Sequence, residues 1–360
     1  MNTSKYSLLA GRVLIRGFEG TDLPGDLQRV LRSGATGGLI VFRRNVDTVL
    51  ELAELIEEAR SMTPRDCPLS FGVDQEGGRV VRLLEPLTVL PPARAIGKLG
   101  DPALTEKLGC LVGQELRAVG ITLNFAPVLD VDTNPDSPII GDRSFGEKPD
   151  VVVRHGLAFA RGLFDGGVIP CAKHFPGHGD ATVDSHLGLP EVPHDRERLA
   201  KVELAPFRAW CSSGLGPIMT AHIVFPALDP VEPATTSCEI IENLLRREMG
   251  FTGTVLSDDL IMGAVADFGG PEQVAVKSIR AGVDGLLVCR DFEVQEAVRE
   301  ALVKEAFEDS EFGRRLELAV KRVENLTRVP ASGQGRNWIA SEEHERLKAD
   351  LRSRIDRLGK

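Results

Sequence analysis

Residues 168–190 hold the densest set of groups able to move protons and grip polar ligands. A short apolar run, Val168 to Ala172, reads as a buried strand, and Lys173, His174, His178, Asp180, Asp184 and His186 follow it. Three of the chain's seven histidines lie here. Pro176, Gly177 and Gly179 make the segment after the strand a turn-rich loop instead of a helix. A loop at the end of a buried strand is where a rigid scaffold carries chemistry. Asp184 and His186 stand two residues apart, and an imidazole beside a carboxylate is a proton-transfer pair that titrates near neutrality; spacing alone equally allows two solvated loop residues. His178 and Asp180 are read as groups that hold the loop by hydrogen bonds.

The elements that must position these groups follow from the hydropathy pattern. Short β-rich runs alternate with helical spacing eight times. The strands are read at Val13–Ile15, Gly38–Phe42, Leu69–Val73, Ile121–Ala126, Val168–Ala172, Ile218–Thr220, Thr254–Leu256 and Gly285–Val288. Helices are read between them, including Val49–Arg60, Pro102–Val119, Val151–Phe164, a single helix over Asp195–Cys211, Ser237–Met249 and Glu272–Ala281, with Phe292–Val303 after the last strand. Eight such units predict an α/β fold of the (β/α)8 TIM-barrel type over residues 1–330. The alternative, a doubly wound open sheet, would want a glycine-rich phosphate loop after the first strand, and none is present. Residues 331–360 read as a linker and a C-terminal amphipathic helix, Glu342–Leu358, packed on the barrel as an extension of one domain.

In such a barrel the C-terminal strand ends share one face, where active sites form. Asp74, Asn124 with Asp130, Arg143, Lys173, His174, His222, and Asp258 with Asp259 fall there. Each acid alone is as well explained as a helix N-cap; their coincidence on one face is the signal. Asp258, facing Arg143 and Lys173, would stay ionised and could attack an anomeric carbon. Asp259 is read as the cap of the following helix.

Composition narrows the partners. Apolar residues make up 42% and the formal net charge is −10, which fits a large-cored soluble protein and argues against nucleic acid or an anionic membrane. No apolar run is long enough to span a bilayer, and the N-terminus has no signal-peptide core. The six cysteines contain no C-x-x-C pair, so neither a thiolate metal site nor a disulfide framework is expected, and a reducing cytoplasm fits. With two Trp and one Tyr, a small pocket is expected instead of a long polysaccharide groove.

Lys173 to Gly179, followed by Asp184-Ser185-His186, resembles the signature of glycoside hydrolase family 3 β-N-acetylhexosaminidases. The likeness continues in order through Gly72 to Val80, Asn124 to Val131, Gly141 to Gly146, and Ser257 to Leu260 with Met262, over about residues 8–330. Asp132 and Ile261 depart from the pattern, and neither is expected to touch a catalytic group. The resemblance implies Asp258 as nucleophile and His186 as general acid/base, oriented by Asp184. It implies Asp74 on the sugar's distal hydroxyls, and Arg82, Arg143, Lys173 and His174 lining the terminal-sugar site. No second domain with an acid/base Glu is expected, and no metal or cofactor. The implied activity is exo-acting release of terminal β-linked N-acetylglucosamine with retention. The expected substrate is a small carbohydrate, a GlcNAc-terminated muropeptide from cell-wall recycling or a chitooligosaccharide, acted on by a cytoplasmic monomer or weak dimer. Alternatives on the same scaffold are a β-N-acetylglucosaminide phosphorylase, a β-glucosidase, or a route using the substrate's acetamido oxygen. Outside that class stand a metal-dependent amidohydrolase, which would want His-x-His where Arg16 to Gly20 lie, and an inactive sugar-binding barrel.

Overall fold

The computed structural model describes residues 2–135, 137, 139–181, 189–266, 268–328 and 335–358. Among the described residues nine short strands run parallel: β1 (Leu14–Arg16), β2 (Gly38–Val41), β3 (Ser70–Val73), β4 (Leu123–Asn124), β5 (Ile169–Pro170), β6 (Ala172–Phe175), β7 (Ile218–Thr220), β8 (Val255–Asp259) and β9 (Gly285–Val288). Their order is β5-β4-β3-β2-β1-β9-β8-β7-β6. The two end members are halves of one strand interrupted at Cys171, so the sheet closes on itself. The Cys171 N–H lies 2.9 Å from both the Asn124 and Ala126 carbonyls, and Lys173 bonds the backbone of Pro127 and Leu129. Eight strand positions thus form the expected (β/α)8 barrel.

Side-chain alternation along a strand sorts the residues into two cores. Ile15, Ile40, Leu123, Ile169, Cys171, Met219, Leu256 and Leu287 point inward and fill the barrel. Leu14, Leu39, Phe71, Val255 and Leu286 join the larger core with the helices. A filled interior is what an eight-stranded barrel requires.

Several elements differ from the sequence reading. The fifth strand extends through Phe175, so Lys173 and His174 are strand residues and not the start of the loop; the Leu129 and Ala221 N–H groups donate to Lys173 and Phe175. The segment expected as one helix, Asp195–Cys211, is two, Arg196–Lys201 and Ala205–Ser213. Pro206 explains the break, because proline fits the first turn of a helix and not its interior. Among the described residues, four helices escaped the pattern: Asn2–Arg12, Ala93–Lys98, the short Gly263–Ala266 and Ser310–Val323. Val323, with Leu326 just beyond, joins the inner core, so the chain after β9 helps seal the barrel interior.

The C-terminal helix Glu342–Leu358 packs against helix Pro102–Val119 through a buried polar staple. His344 Nε2 lies 2.7 Å from Glu115 Oε1, and its Nδ1 accepts the Ala340 N–H at 3.0 Å, which fixes Nε2 as the protonated nitrogen. Glu115 also accepts the Thr88 N–H and hydroxyl. Trp338 covers the imidazole, with ring centroids 4.5 Å apart. His344→Ala would leave a buried carboxylate short of a donor and open a cavity. The expected cost is about 2–4 kcal/mol, read as a lower urea midpoint at unchanged m; a shift within error would mean that the staple contributes nothing.

Candidate active site

The inward rows of the strands change character toward their C-terminal ends. Two residues beyond Leu256 on the same face stands Asp258, and two beyond Cys171 stands Lys173. Two beyond Ile40 and Leu287 stand Phe42 and Cys289. These residues line a cavity of about 670 Å³ with Asp74, Glu76, Arg82, Arg143, His174, His178, Asp259, Ile261 and Met262. The apolar rungs below form its floor.

One wall is a buried charge array. Lys173 Nζ lies 2.7 Å from Asp74 Oδ1 and 2.6 Å from Glu76 Oε1. Arg143 grips Glu76 in a fork, Nε to Oε2 at 2.9 Å and Nη2 to Oε1 at 2.8 Å. Arg82 reaches Asp74 at 3.7 Å. Burial alone would raise the Glu76 pKa, but Lys173 and Arg143 outweigh it and hold the carboxyl well below its usual range. Burial would likewise lower the Lys173 pKa, and Asp74 and Glu76 reverse that. The array is therefore charged and rigid, suited to orienting sugar hydroxyls by charge-assisted hydrogen bonds.

His174 and the loop after it hang on Asp130. This buried carboxylate accepts the His174 ring at 2.8 Å (Nδ1 to Oδ2), the His174 N–H, and the His178 N–H at 2.7 Å. Against the penalty of burial, His174 and His178 hold its pKa below the ordinary value. His178 is buried, and burial reinforced by nearby His174 lowers its pKa to about 4. The turn that follows leans on glycine. Gly177 has φ 140°, and a Cβ at Gly179 would meet the Val131 carbonyl oxygen at 1.8 Å. Asp180 pairs with His194, and Val192 bonds the Val224 backbone, so both flanks of the loop are tied beside the exit of β7. Asp184 and His186 lie outside the described residues.

Asp258, the penultimate residue of β8, is half-buried and lines the cavity above its apolar floor. Its Oδ1 accepts the Asp259 N–H at 2.8 Å. Burial pushes its pKa up, but His174, His222, that N–H and Lys173 pull it below the usual carboxylate value, so it faces the cavity as an anion. Asp259 does not cap a helix. Its Oδ1 accepts the Ile261 and Cys289 N–H groups, tying the exit of β8 to that of β9, and burial lifts its pKa to about 6.

His222 is a brace. Nε2 faces the Asp259 carbonyl at 3.2 Å and Nδ1 faces the Thr235 hydroxyl at 2.9 Å, with its pKa lowered by burial. Asn124 is also structural, clamping the Gln75 N–H and carbonyl and so fixing the backbone beside Asp74. Asp132 meets Arg94, whereas Ile261 lines the cavity itself.

The structure thus brings Asp74, Arg82, Arg143, Lys173, His174 and Asp258 to one cavity. Glu76 was not singled out by the sequence reading. The signal was charge balance: Arg82, Arg143 and Lys173 were read against Asp74 and Asp258, and a buried cluster of cations needs near-equal countercharge.

The comparisons with known proteins agree with this geometry. Residues 19–326 match the family model "Glycosyl hydrolase family 3 N terminal domain". The beta-hexosaminidase A of Pseudoalteromonas piscicida is 35% identical over 92% of this chain, which spans only 60% of that protein's length. A beta-hexosaminidase of Neisseria meningitidis serogroup C is 40% identical over 76% of this chain and 77% of its own. Among solved structures, a glycoside hydrolase family 3 beta-N-acetylglucosaminidase from Paenibacillus sp. str. FPU-7 superposes with a TM-score of 0.87 at 37% identity, covering 96% of this chain and 68% of that one. The matched region runs from just past β1 to the turn that seals the barrel, and it contains every strand-end residue assembled above. The chain belongs to glycoside hydrolase family 3.

Proposed function

We propose that this protein is an exo-acting β-N-acetylglucosaminidase that works by double displacement with retention. The observation that carries the reading is Asp258, an anion lining a cavity that is also lined by the Asp74–Lys173–Glu76–Arg143 array. That wall would hold the terminal sugar's hydroxyls and present C1 to Asp258. The carboxylate attacks C1 as the glycosidic bond breaks, and His186 gives its proton to the leaving oxygen. His186 then takes a proton from water as water displaces Asp258. Asp184 would orient the imidazole. Asp259 is committed to two backbone N–H groups, which favours Asp258 as nucleophile over a route in which both carboxylates serve the acetamido group.

The substrate we propose is a small GlcNAc-terminated carbohydrate, a muropeptide from cell-wall recycling or a chitooligosaccharide. We place the protein in the cytoplasm as a monomer or weak dimer. All six thiols are free, as a reducing compartment would keep them, and among the described residues no helix is long and apolar enough to cross a membrane.

Kinetics of His186→Ala on aryl β-N-acetylglucosaminides test the proton-transfer assignment. With a poor leaving group the loss in kcat/KM should be roughly 10²–10⁴-fold. With a nitrophenolate, which departs without protonation, glycosylation should be little affected. Equal losses across the series would remove His186 from the mechanism.

A further inference from the structure

Asp184 and His186 are carried between Asp180 and His194, and those two residues meet: the Asp180 carboxylate pairs with His194 Nε2. Their side chains are 19% and 27% exposed, so solvent screens the pair less than one on an open surface. Each partner belongs to a flank that is itself fixed. On the outgoing side the His178 N–H donates to buried Asp130 at 2.7 Å, and Gly179 packs on the Val131 carbonyl. On the returning side the Val192 N–H donates to the Val224 carbonyl at 3.0 Å, and the Val224 N–H to the Pro190 carbonyl at 3.1 Å. One flank thus hangs on the chain after β4 and the other on the chain after β7, and the Asp180–His194 contact joins them. Buried Glu203 backs the junction. Its stem packs against Gly177, where an added Cβ would meet Glu203 Cβ at 2.9 Å. Its Oε1 accepts from Arg198 Nη2 at 3.2 Å, and Oε2 has no hydrogen-bond partner among the described residues. Burial raises the Glu203 pKa, while a backbone hydrogen bond, Arg198 and His194 pull the other way. None of Asp180, His194 and Glu203 lines the cavity that holds Asp258.

We propose that Asp180 and His194, backed by Glu203, are positioning residues for proton transfer: they clasp the two flanks so that the segment bearing His186 leaves and rejoins the barrel at one fixed place. This rests on His186 as the proton donor proposed above. A general acid acts only from within hydrogen-bond reach of the leaving oxygen. A misplacement of about 1 Å imposed from a distance costs on the order of 10²-fold in rate. Joining the ends removes conformations that the segment would otherwise give up each time it engages a substrate. The nucleophile needs no such clasp, because Asp258 stands on β8. The pair therefore acts on one of the two catalytic groups and leaves the other alone.

Kinetics of His194→Ala on aryl β-N-acetylglucosaminides with good and poor leaving groups test the clasp. With a poor leaving group kcat/KM should fall by roughly 10–10²-fold. With a dinitrophenolate, which departs without protonation, it should barely change. His194→Gln, whose amide N–H can still donate to Asp180, should recover most of the loss. On a His186→Ala background the loss of His194 should cost nothing further, because the group it positions is gone. A residue that only stabilises the fold would lower every member of the series alike, with or without His186. Labelling of Asp258 by a fluorosugar with a dinitrophenyl leaving group, at the wild-type rate, checks that fold and nucleophile are intact. Should His194→Ala not fold, Asp180→Ala removes the other partner and runs the same series. Equal losses across the series, no loss at all, or a further loss on the His186→Ala background would overturn the clasp. Equal losses in His186→Ala itself would overturn the proton-donor reading first, and the clasp with it.

Discussion

Replacing Asp258 by Asn is expected to lower kcat/KM by on the order of 10⁴-fold or more while leaving the fold intact. Loss of a covalent nucleophile removes the low-barrier route altogether, and effects of that size are what such removals give. The fold should survive because the hydrogen bond on the Asp258 side chain, Oδ1 accepting the Asp259 N–H at 2.8 Å, can be made by an amide oxygen. The change also removes a charge from a half-buried position. Its pKa lies below the ordinary carboxylate value because His174, His222 and Lys173 together outweigh burial. The nucleophile is thus an anion at neutral pH, and an acid limb of the wild-type pH–rate profile that sets in above the ordinary carboxylate range must come from another group. A fluorosugar that slows deglycosylation should leave a covalent adduct on Asp258, found by peptide mass spectrometry. Full activity in Asp258→Asn would remove the residue from catalysis, and an active wild type that never labels would point to the acetamido route.

How far the site was legible in the sequence depended on whether strand alternation or long-range pairing decided a residue's place. Asp258 and Lys173 were legible because each closely follows a short buried apolar run, at the end of a barrel strand, and that rule needs no knowledge of neighbours, although the strands run on through both residues. Asp74, at the exit of β3, was legible as a polar group following a buried run. The roles of Asn124, His222 and Asp259 were not, because each is set by a partner far along the chain. Asn124 turns to the Gln75 backbone, His222 to the Asp259 carbonyl, and Asp259 to the Cys289 N–H. All three are strand-end polar groups indistinguishable by local pattern from those that face the cavity. The break in the fifth strand at Cys171 was hidden for the same reason. Val168 to Ala172 is a uniform apolar run, and the two halves separate only because one pairs with β4 and the other with β7. Helix Ser310–Val323 was missed although strongly amphipathic, since it follows the eighth unit and a barrel template asks for nothing there.

Glu76→Gln is expected to destabilise the protein by about 3–5 kcal/mol at neutral pH, the cost of breaking a buried ion pair from one side. Both carboxylate oxygens are engaged, by Lys173 Nζ at 2.6 Å and by the Arg143 fork. An amide would turn one N–H edge toward a guanidinium or ammonium and leave Lys173 and Arg143 with Asp74 alone. Removing the negative charge therefore costs more than the lost contacts, because two buried cations are left undercompensated. The pH dependence separates this account from a packing defect. The folded-state pKa of Glu76 is depressed, so its contribution is present above the unfolded value near about 4.3 and is lost as pH falls through the folded one. The stability difference between wild type and Glu76→Gln, from urea titrations, should then be largest at pH 7 and shrink steadily once the pH drops below roughly 4. Lys173 has the opposite sense, a raised pKa whose stabilisation persists until strongly alkaline pH, so it adds no slope in the acid range. A gap that stays constant from neutral to acid pH would mean that Glu76 acts by shape and not by charge. Activity should fall with the stability, since Lys173 and Arg143 would no longer hold the positions that the terminal sugar requires.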